Sequence, residues 1–212
     1  MAVRAVLFDF DGTLADSFVP IASSTNHVRA SLGLPALTVE EIRRHVGLGL
    51  AQLMADLAPG MPFEDAVALY SRHHESIMLS ETTLLPGVRE TVAALQTRGY
   101  KLGVCSNKRV AFTKALILNL GLADAMSEIL GPDDVGVPKP DPAMLIEAMR
   151  RLNVLPAETI YIGDMAVDVR TAKAAGVAVW LVPSGAHGWE DPLALHPDVV
   201  LESFEQLSVL LP

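Results

Sequence analysis

Short apolar segments alternate along this chain with segments of helical periodicity, and this alternation limits its fold more than any other feature. Six segments predict β-strands: 3–8, 101–105, 127–130, 159–162, 177–182 and 199–201. Most are continuously apolar, which is typical of parallel strands covered on both faces. Helical spacing of apolar residues predicts four helices between them: 88–97, 110–120, 142–152 and 167–175. The pattern therefore predicts an α/β fold with a doubly wound, mostly parallel, Rossmann-like sheet.

One long segment interrupts the alternation. Residues 17–83 contain no convincing strand and show only helical patterns. Thr38 and Glu41 have the spacing of a capping box, which predicts a short helix that ends at Gly47. Two stripes at helical spacing predict further helices: Ile21, Thr25, Val28 and Leu32, then Val67, Tyr70, His74 and Ile77. We therefore predict a core domain of residues 1–16 and 84–212 that carries an inserted α-helical cap domain, residues 17–83.

The composition excludes several classes of function. The chain of 212 residues has 25 acidic and 16 basic side chains, so its net charge of −9 lacks the basic footprint of a nucleic-acid-binding protein. No apolar segment approaches the roughly 18 residues of a membrane span. The N-terminal segment reaches Asp9 too soon to be a signal peptide, and the single cysteine, Cys105, fits a reducing compartment. These features predict a cytoplasmic protein without nucleic-acid or membrane partners and leave the oligomeric state open.

Polar side chains lie where several of the predicted strands end. They are Asp9 and Asp11 after the first strand, Ser106 and Asn107 after the second, Asp164 and Asp168 after the fourth, and Lys139 ahead of the helix at 142. Each alone has a simpler explanation as a turn residue, a helix cap or a surface charge. Ligands of open α/β sheets bind outside the carboxyl ends of the strands, so we expect the seven to converge on one crevice.

This set of residues indicates phosphoryl chemistry. A calcium loop of the EF-hand type is excluded, because Thr13 and Pro20 stand where that loop needs oxygen ligands. Asp9, Asp11 and Asp164 instead supply hard oxygen ligands for Mg²⁺, which would offset their mutual repulsion and let a phosphate approach. A carboxylate could then attack phosphorus while a hydroxyl and a lysine hold the phosphoryl oxygens.

Four motifs, DFDGTLADS, CSNK, KPDP and GDMAVDV, resemble those of the haloacid dehalogenase superfamily in their order and spacing, over residues 3–182. The resemblance implies that the helical insert is a mobile cap. It implies that Asp9 is the nucleophile and Asp11 the general acid and base, with Lys139 stabilising the charge. The implied Mg²⁺ ligands are the Asp9 side chain, the Asp11 backbone carbonyl and Asp164, with Asp168 supporting the metal's waters or Lys139. The implied phosphate-positioning residues are Thr13, Ser106 and Asn107.

A few positions separate the branches of this superfamily. Dehalogenases lack the second aspartate, so Asp11 argues against them. The sugar phosphomutases that resemble this chain typically carry valine or isoleucine at Thr13 and histidine at Ile21. Phosphonatases use a cap lysine, whereas residues 17–83 contain none. The pattern is most similar to phosphoglycolate phosphatases, which implies hydrolysis of a small phosphate ester such as 2-phosphoglycolate. A phosphomutase, a pyrophosphatase and a non-catalytic regulator that binds phosphate or metal remain alternatives.

The stretch RRHVGLGLAQLM supplies the candidates for recognising the leaving group: Arg43, Arg44 and Gly47. The alternative for the two arginines is a solvated surface. We expect Cys105 to pack in the core. We expect the scattered histidines to be structural or exposed: His27, His73, His74, His187 and His196. The segment 183–192 is a further candidate to border the site.

Overall fold

The structure is a computed structural model that describes residues 2–182 and 192–212. His187 and all but the last residue of the candidate segment 183–192 lie outside the described residues. Within the described ranges, no helix is both long enough and apolar enough to span a bilayer. The cytoplasmic location stays a prediction.

Eight strands occur in the described ranges: β1 (Ala5–Phe8), β2 (Ala15–Asp16), β3 (Thr83–Leu84), β4 (Lys101–Cys105), β5 (Met126–Leu130), β6 (Thr159–Gly163), β7 (Ala178–Leu181) and β8 (Val199–Val200). Six of them form one sheet in the order β5-β4-β1-β6-β7-β8. All neighbours in this sheet pair in parallel. The six predicted strands are thus confirmed, with bounds that differ by a few residues.

The described helices are α1 (Phe18–Ser31), α2 (Val39–Arg43), α3 (Leu50–Leu57), α4 (Phe63–Glu81), α5 (Val88–Thr97), α6 (Val110–Asn119), α7 (Pro132–Val135), α8 (Ala143–Leu152), α9 (Ala166–Ala175) and α10 (Gln206–Leu210). Alternate residues of β1 enter two apolar layers, Ala5 and Leu7 on one face and Val6 and Phe8 on the other. Because both faces of the sheet are covered, its strands read as continuous apolar runs. The α/β class is confirmed.

Helices α1 to α4 form a helical insert, residues 18–81, with an apolar cluster of its own that includes Phe18, Ile42 and Leu57. The predicted capping box is present: the Glu41 N–H donates to Thr38 Oγ1 at 3.2 Å, and the Thr38 N–H donates to Glu41 Oε2 at 2.7 Å. Three residues of the first predicted stripe, Ile21, Thr25 and Val28, are buried on α1, and Leu32, just beyond its end, is half-buried.

The second predicted stripe is only partly correct. On α4 the buried face includes Ala66, Tyr70, Ser71 and His74, whereas Val67 and Ile77 are half-buried. This face packs mainly on α1. The small side chains Ala66 and Ser71 permit the close approach of α4 to α1, and a pattern of large apolar residues does not detect them.

A two-stranded antiparallel ribbon lies at the base of the insert. It pairs β2 with β3, Ala15 opposite Leu84 and Asp16 opposite Thr83. Each strand has only two residues, which is too short for a periodic sequence signal. The ribbon brings the start and the end of the insert together beside the loop that follows β1. The assignment of 17–83 to a separate cap domain stays a prediction.

Candidate active site

Three buried aspartates and one buried lysine meet beyond the carboxyl ends of β1 and β6. Asp9 follows β1 directly, and Asp164 and Asp168 follow β6. One carboxylate oxygen from each of the three lies within 4.8 Å of the others. The Lys139 side chain is only 1% exposed, and its Nζ lies 3.0 Å from Asp9 Oδ1 and 2.7 Å from Asp168 Oδ1. With every group ionised, the cluster has a net charge of −2, and all four side chains are buried.

Tyr161, which the sequence analysis missed, orients Lys139. Its hydroxyl accepts a hydrogen bond from Lys139 Nζ at 2.9 Å and donates one to the Cys105 carbonyl at 2.7 Å. Burial alone would lower the pKa of Lys139, but the Asp168 and Asp9 carboxylates outweigh it and raise that pKa. The lysine is therefore a fixed cation. The only signal in the sequence was one polar-tipped residue in the otherwise apolar strand TIYIG.

Asp168 holds this arrangement together from the first turn of α9. Its Oδ2 accepts hydrogen bonds from the backbone N–H groups of Asp164 at 3.1 Å and Met165 at 3.0 Å. Its Oδ1 accepts from Lys139. Both oxygens are therefore engaged by the protein, in the arrangement expected of a residue that supports Lys139. Its predicted role at the metal stays a prediction.

Asp9 and Asp164 fit a divalent cation by charge and by shape. Thr13 Oγ1 donates to Asp164 Oδ1 at 2.9 Å, so its hydroxyl orients that carboxylate, and its predicted role at the phosphate stays a prediction. Gly12 has a φ of +83°, and a Cβ there would lie 2.5 Å from Asp164 Oδ2. Burial raises the pKa of Asp9 and Lys139 partly offsets this, with the result at about 6; a bound cation would favour the ionised carboxylate.

Asp11 lies outside this cluster and faces a pocket. Lys108 Nζ donates to its two oxygens at 2.9 and 3.2 Å, and Ser17 Oγ also donates to it. Its carboxylate is therefore held by Lys108 and Ser17 and is not part of the acidic cluster. The implied role of its backbone carbonyl at the metal stays a prediction.

The pocket lies between the sheet and the helical insert. The core contributes its polar lining: Asp9, Asp11, Ser106, Asn107, Lys108 and Arg109. Phe112 and residues of the insert complete it: Ile21, Val46, Gly47, Gly49, Leu50, Leu53, Tyr70 and His74. The pocket has a free volume of about 50 Å³, counted as the space open to the centres of water-sized groups. At roughly 10–15 Å³ for each such group, this space suits a ligand of a few heavy atoms.

Comparison with known proteins assigns the chain to a family. Residues 6–182 match the sequence profile of the haloacid dehalogenase-like hydrolases. The chain belongs to this family.

Individual relatives agree with this assignment. The chain is 37% identical to a phosphoglycolate phosphatase, plasmid, of Cupriavidus necator, and the match covers 98% of this chain and 92% of that protein. It is 32% identical to a phosphoglycolate phosphatase of Nitrosospira multiformis, over 100% of this chain and 96% of that one. The crystal structure of a Bacteroides fragilis haloacid dehalogenase-like hydrolase superposes with a TM-score of 0.90 at 32% identity, over 97% of this chain and 99% of the other.

In this haloacid dehalogenase-like hydrolase, Asn107 joins the insert to the core. Its Nδ2 donates to the Gly47 carbonyl at 2.9 Å and to the Lys139 carbonyl at 3.1 Å, while its Oδ1 accepts from the Lys139 N–H at 2.7 Å. These bonds go to backbone atoms, so the side chain positions the pocket walls; its predicted role at the phosphate stays a prediction. Gly47 also contacts the core, because a Cβ there would lie 2.4 Å from Met165 Sδ.

The structure does not bring the two predicted arginines of the insert to the pocket. Arg43 stacks on Phe18, with 4.2 Å from its Cζ to the ring centroid, and Arg44 is exposed. The reason is that α2 ends at Arg43, four residues earlier than predicted, and the following turn presents Gly47 to the core. The cations of the hydrolase's pocket come from the core instead, as Lys108 and Arg109. Lys108 ends the motif CSNK, and Arg109 follows it directly in the sequence.

Proposed function

We propose that this protein is a Mg²⁺-dependent phosphatase of small phosphate monoesters and that 2-phosphoglycolate is its substrate. The observation that carries the proposal is the placement of Asp9. It is a buried carboxylate beside Lys139 and two further acids, at the floor of a pocket with room for a few heavy atoms. The curated relatives named phosphoglycolate phosphatase support the choice of substrate.

The proposed reaction has two steps. In the first, a carboxylate oxygen of Asp9 attacks phosphorus, the ester P–O bond breaks, and Asp11 gives a proton to the departing oxygen. In the second, Asp11 removes a proton from water as that water attacks the phosphorus, which releases phosphate and restores Asp9. Lys139 and Ser106 lie beside Asp9, where they hold the phosphoryl oxygens and stabilise their charge.

The Mg²⁺ of this proposal would be held by the Asp9 side chain, the Asp11 backbone carbonyl and Asp164. When bound, it supplies positive charge that draws a phosphate dianion to an acidic site and stabilises the transferred group. Thr13 and Gly12 keep the Asp164 carboxylate in place. Asp168 keeps Lys139 beside Asp9.

Two features of the pocket favour a short anionic leaving group. Arg109 lines the pocket, donates to Ser71 Oγ at 3.1 Å and packs on Phe112, and it forms no ion pair with any residue that the structure describes. Its charge is therefore available to the carboxylate of glycolate. Ile21 is buried and apolar in the pocket wall, at the position where the similar phosphomutases carry histidine. This argues against the mutase alternative.

Phosphate release from a panel of esters tests the proposal. The panel contains 2-phosphoglycolate, β-glucose 1-phosphate, pyrophosphate and a nucleoside monophosphate, each with Mg²⁺ and with a chelator. We expect 2-phosphoglycolate to give the highest kcat/KM, only with Mg²⁺, and Asp9→Asn to abolish release while it leaves the circular dichroism spectrum unchanged. Preferred hydrolysis of pyrophosphate, or conversion of the sugar phosphate to its 6-phosphate, would replace the proposed substrate. Undiminished turnover by Asp9→Asn would refute the mechanism.

A further inference from the structure

His74 of α4 is a buried pocket residue that the proposed mechanism does not use. It is 0% exposed, and it lines the pocket opposite the polar residues of the core. Its ring lies against Tyr70 at 5.1 Å and Phe112 at 5.4 Å between ring centroids. The sequence analysis expected only a structural or exposed histidine here. The packing fixes the ring plane, so each of its two nitrogens has a defined environment.

The environment of Nδ1 shows which nitrogen carries the proton. Nδ1 lies 3.2 Å from Ser24 Oγ and 3.4 Å from the Pro20 carbonyl, both on α1. The Ser24 hydroxyl donates its only hydrogen to that same carbonyl at 2.7 Å, so it offers Nδ1 a lone pair. Both neighbours are then acceptors. Nδ1 is therefore the protonated nitrogen, and Nε2 of the neutral ring is a lone pair.

Nε2 is buried and has no hydrogen-bond partner within residues 2–182 and 192–212. Folded proteins leave few buried polar atoms unpaired, and such an atom in the wall of a pocket points to a ligand. Because the Nδ1 edge of the ring is turned to α1, Nε2 is the atom that remains for the pocket. Nε2 and the Tyr70 hydroxyl are the polar side-chain atoms that Tyr70 and His74 of α4 bring to the pocket.

We propose that His74 is a specificity-determining residue, whose Nε2 takes up a proton when the substrate binds and donates it as a hydrogen bond to a carboxylate on the leaving group. The inference rests on the proposed hydrolysis of a small phosphate ester and adds the chemistry that the insert recognises. The ligand class is a short phosphorylated carboxylic acid. An ester of the same size without the acid leaves Nε2 without a partner and keeps the ring neutral.

The charges around the ring agree with uptake on binding. Burial and then Lys108 lower the pKa of His74, and Asp11 partly opposes them, which leaves it at about 4. The other polar or titratable groups near it are His73 and Tyr70 on α4 and Arg109 beside Phe112. The free ring is therefore neutral near pH 7. A bound carboxylate brings the negative charge that a buried imidazolium needs, and Lys108 and Arg109 share that charge.

The test compares 2-phosphoglycolate with ethyl phosphate, in which a methyl group replaces the carboxylate. The quantity measured is the ratio of their kcat/KM values, in which the ionisation of the phosphate and the shared chemistry largely cancel. Because binding of the acid requires a proton, the wild-type ratio should fall by about tenfold or more as the pH rises from about 6 to about 8.5. In His74→Gln the ratio of kcat/KM values should be at least about tenfold lower than in the wild type at pH 6, and it should not change with pH. The loss should come from a higher KM for 2-phosphoglycolate rather than from a lower kcat.

His73→Gln is the matched control, since His73 precedes His74 on the same helix, lies 3.2 Å from the same Ser24 Oγ and does not line the pocket. It should keep the wild-type ratio and its pH dependence. A wild-type ratio that does not change with pH overturns the inference without the need for any variant. An equal loss on both esters in His74→Gln also overturns it, because that result describes a structural residue. If Asp9→Asn still hydrolyses ethyl phosphate, the proposed function fails instead.

Discussion

The two sides of the pocket are built differently. On the core side, each charged group has several partners: Lys139 contacts two carboxylates and a hydroxyl, and Asp168 accepts three hydrogen bonds. On the insert side, the wall is mostly apolar: the Gly47 carbonyl accepts a hydrogen bond from Asn107, and His74 Nε2 has no partner among the described residues. This difference indicates that the core fixes the position of the groups proposed for chemistry. In the proposal, selection among leaving groups falls to the insert wall, with its few polar groups, and to Arg109 of the core beside it.

The largest effect is expected where the core loses its buried cation. Lys139→Met removes the group that offsets Asp9 and Asp168, so those carboxylates repel each other in a site that excludes water. We expect kcat to fall by roughly 10²–10³-fold for every ester, because the phosphoryl oxygens lose their charged partner. We also expect the free energy of unfolding to fall by about 3–5 kcal/mol, measured by urea denaturation.

Lys114→Met is the matched control for that change. Lys114 is an exposed lysine of α6, and the same substitution there should change kcat less than about twofold and stability by less than about 0.5 kcal/mol. If Lys139→Met lost activity on one ester and kept it on another, the division between core chemistry and insert selection would be wrong.

A smaller effect is expected where the core holds Asp164, the proposed metal ligand. Gly12→Ala places a Cβ 2.5 Å from Asp164 Oδ2, so the carboxylate has to move away from Asp9. We expect the Mg²⁺ concentration for half-maximal activity to rise by roughly 10–100-fold, as expected when the support of a metal ligand is disturbed. A Mg²⁺ titration followed by the melting temperature should show the same shift, which gives a reading independent of turnover.

Gly99→Ala separates this effect from backbone strain. Gly99 has a φ of +85°, close to that of Gly12, and a Cβ there has no atom within 4 Å. Both variants should lose roughly 1–2 kcal/mol of stability to the left-handed conformation, but only Gly12→Ala should need more Mg²⁺. An equal rise in both would mean that Gly12 matters for folding alone.

The smallest effect is expected at the contact of the insert with the core. Gly47→Ala places a Cβ 2.4 Å from Met165 Sδ, and this flexible side chain can move aside at modest cost. We expect KM for 2-phosphoglycolate to rise several-fold, roughly 1 kcal/mol, with little change in kcat, since only uniform binding is weakened. Gly60→Ala, also in the insert with a φ of +97° and no atom within 4 Å of its Cβ, should leave KM unchanged. A loss of kcat in Gly47→Ala would place the loop in the chemistry instead.

The sequence predicted the sheet well, because both faces of its strands are buried and their apolar runs are therefore continuous. It also predicted that Asp9, Lys139, Asp164 and Ser106 meet, since parallel strands end at one edge of the sheet. It could not place Tyr161 or His74, whose roles depend on contacts between residues far apart in the chain. Arg43 and Arg44 were chosen by their charge and their place before the glycine loop, and the early end of α2 turns the chain so that Gly47 reaches the core instead.

The most direct test of the account is the covalent intermediate on Asp9. The protein with Mg²⁺ is mixed with ³²P-labelled 2-phosphoglycolate, quenched in acid within milliseconds, digested and analysed for label on the peptide that contains Asp9. The account predicts label on that aspartate that hydroxylamine removes, and no label in Asp9→Asn. Rapid hydrolysis with no labelled protein at any quench time, or label on another residue, would contradict it.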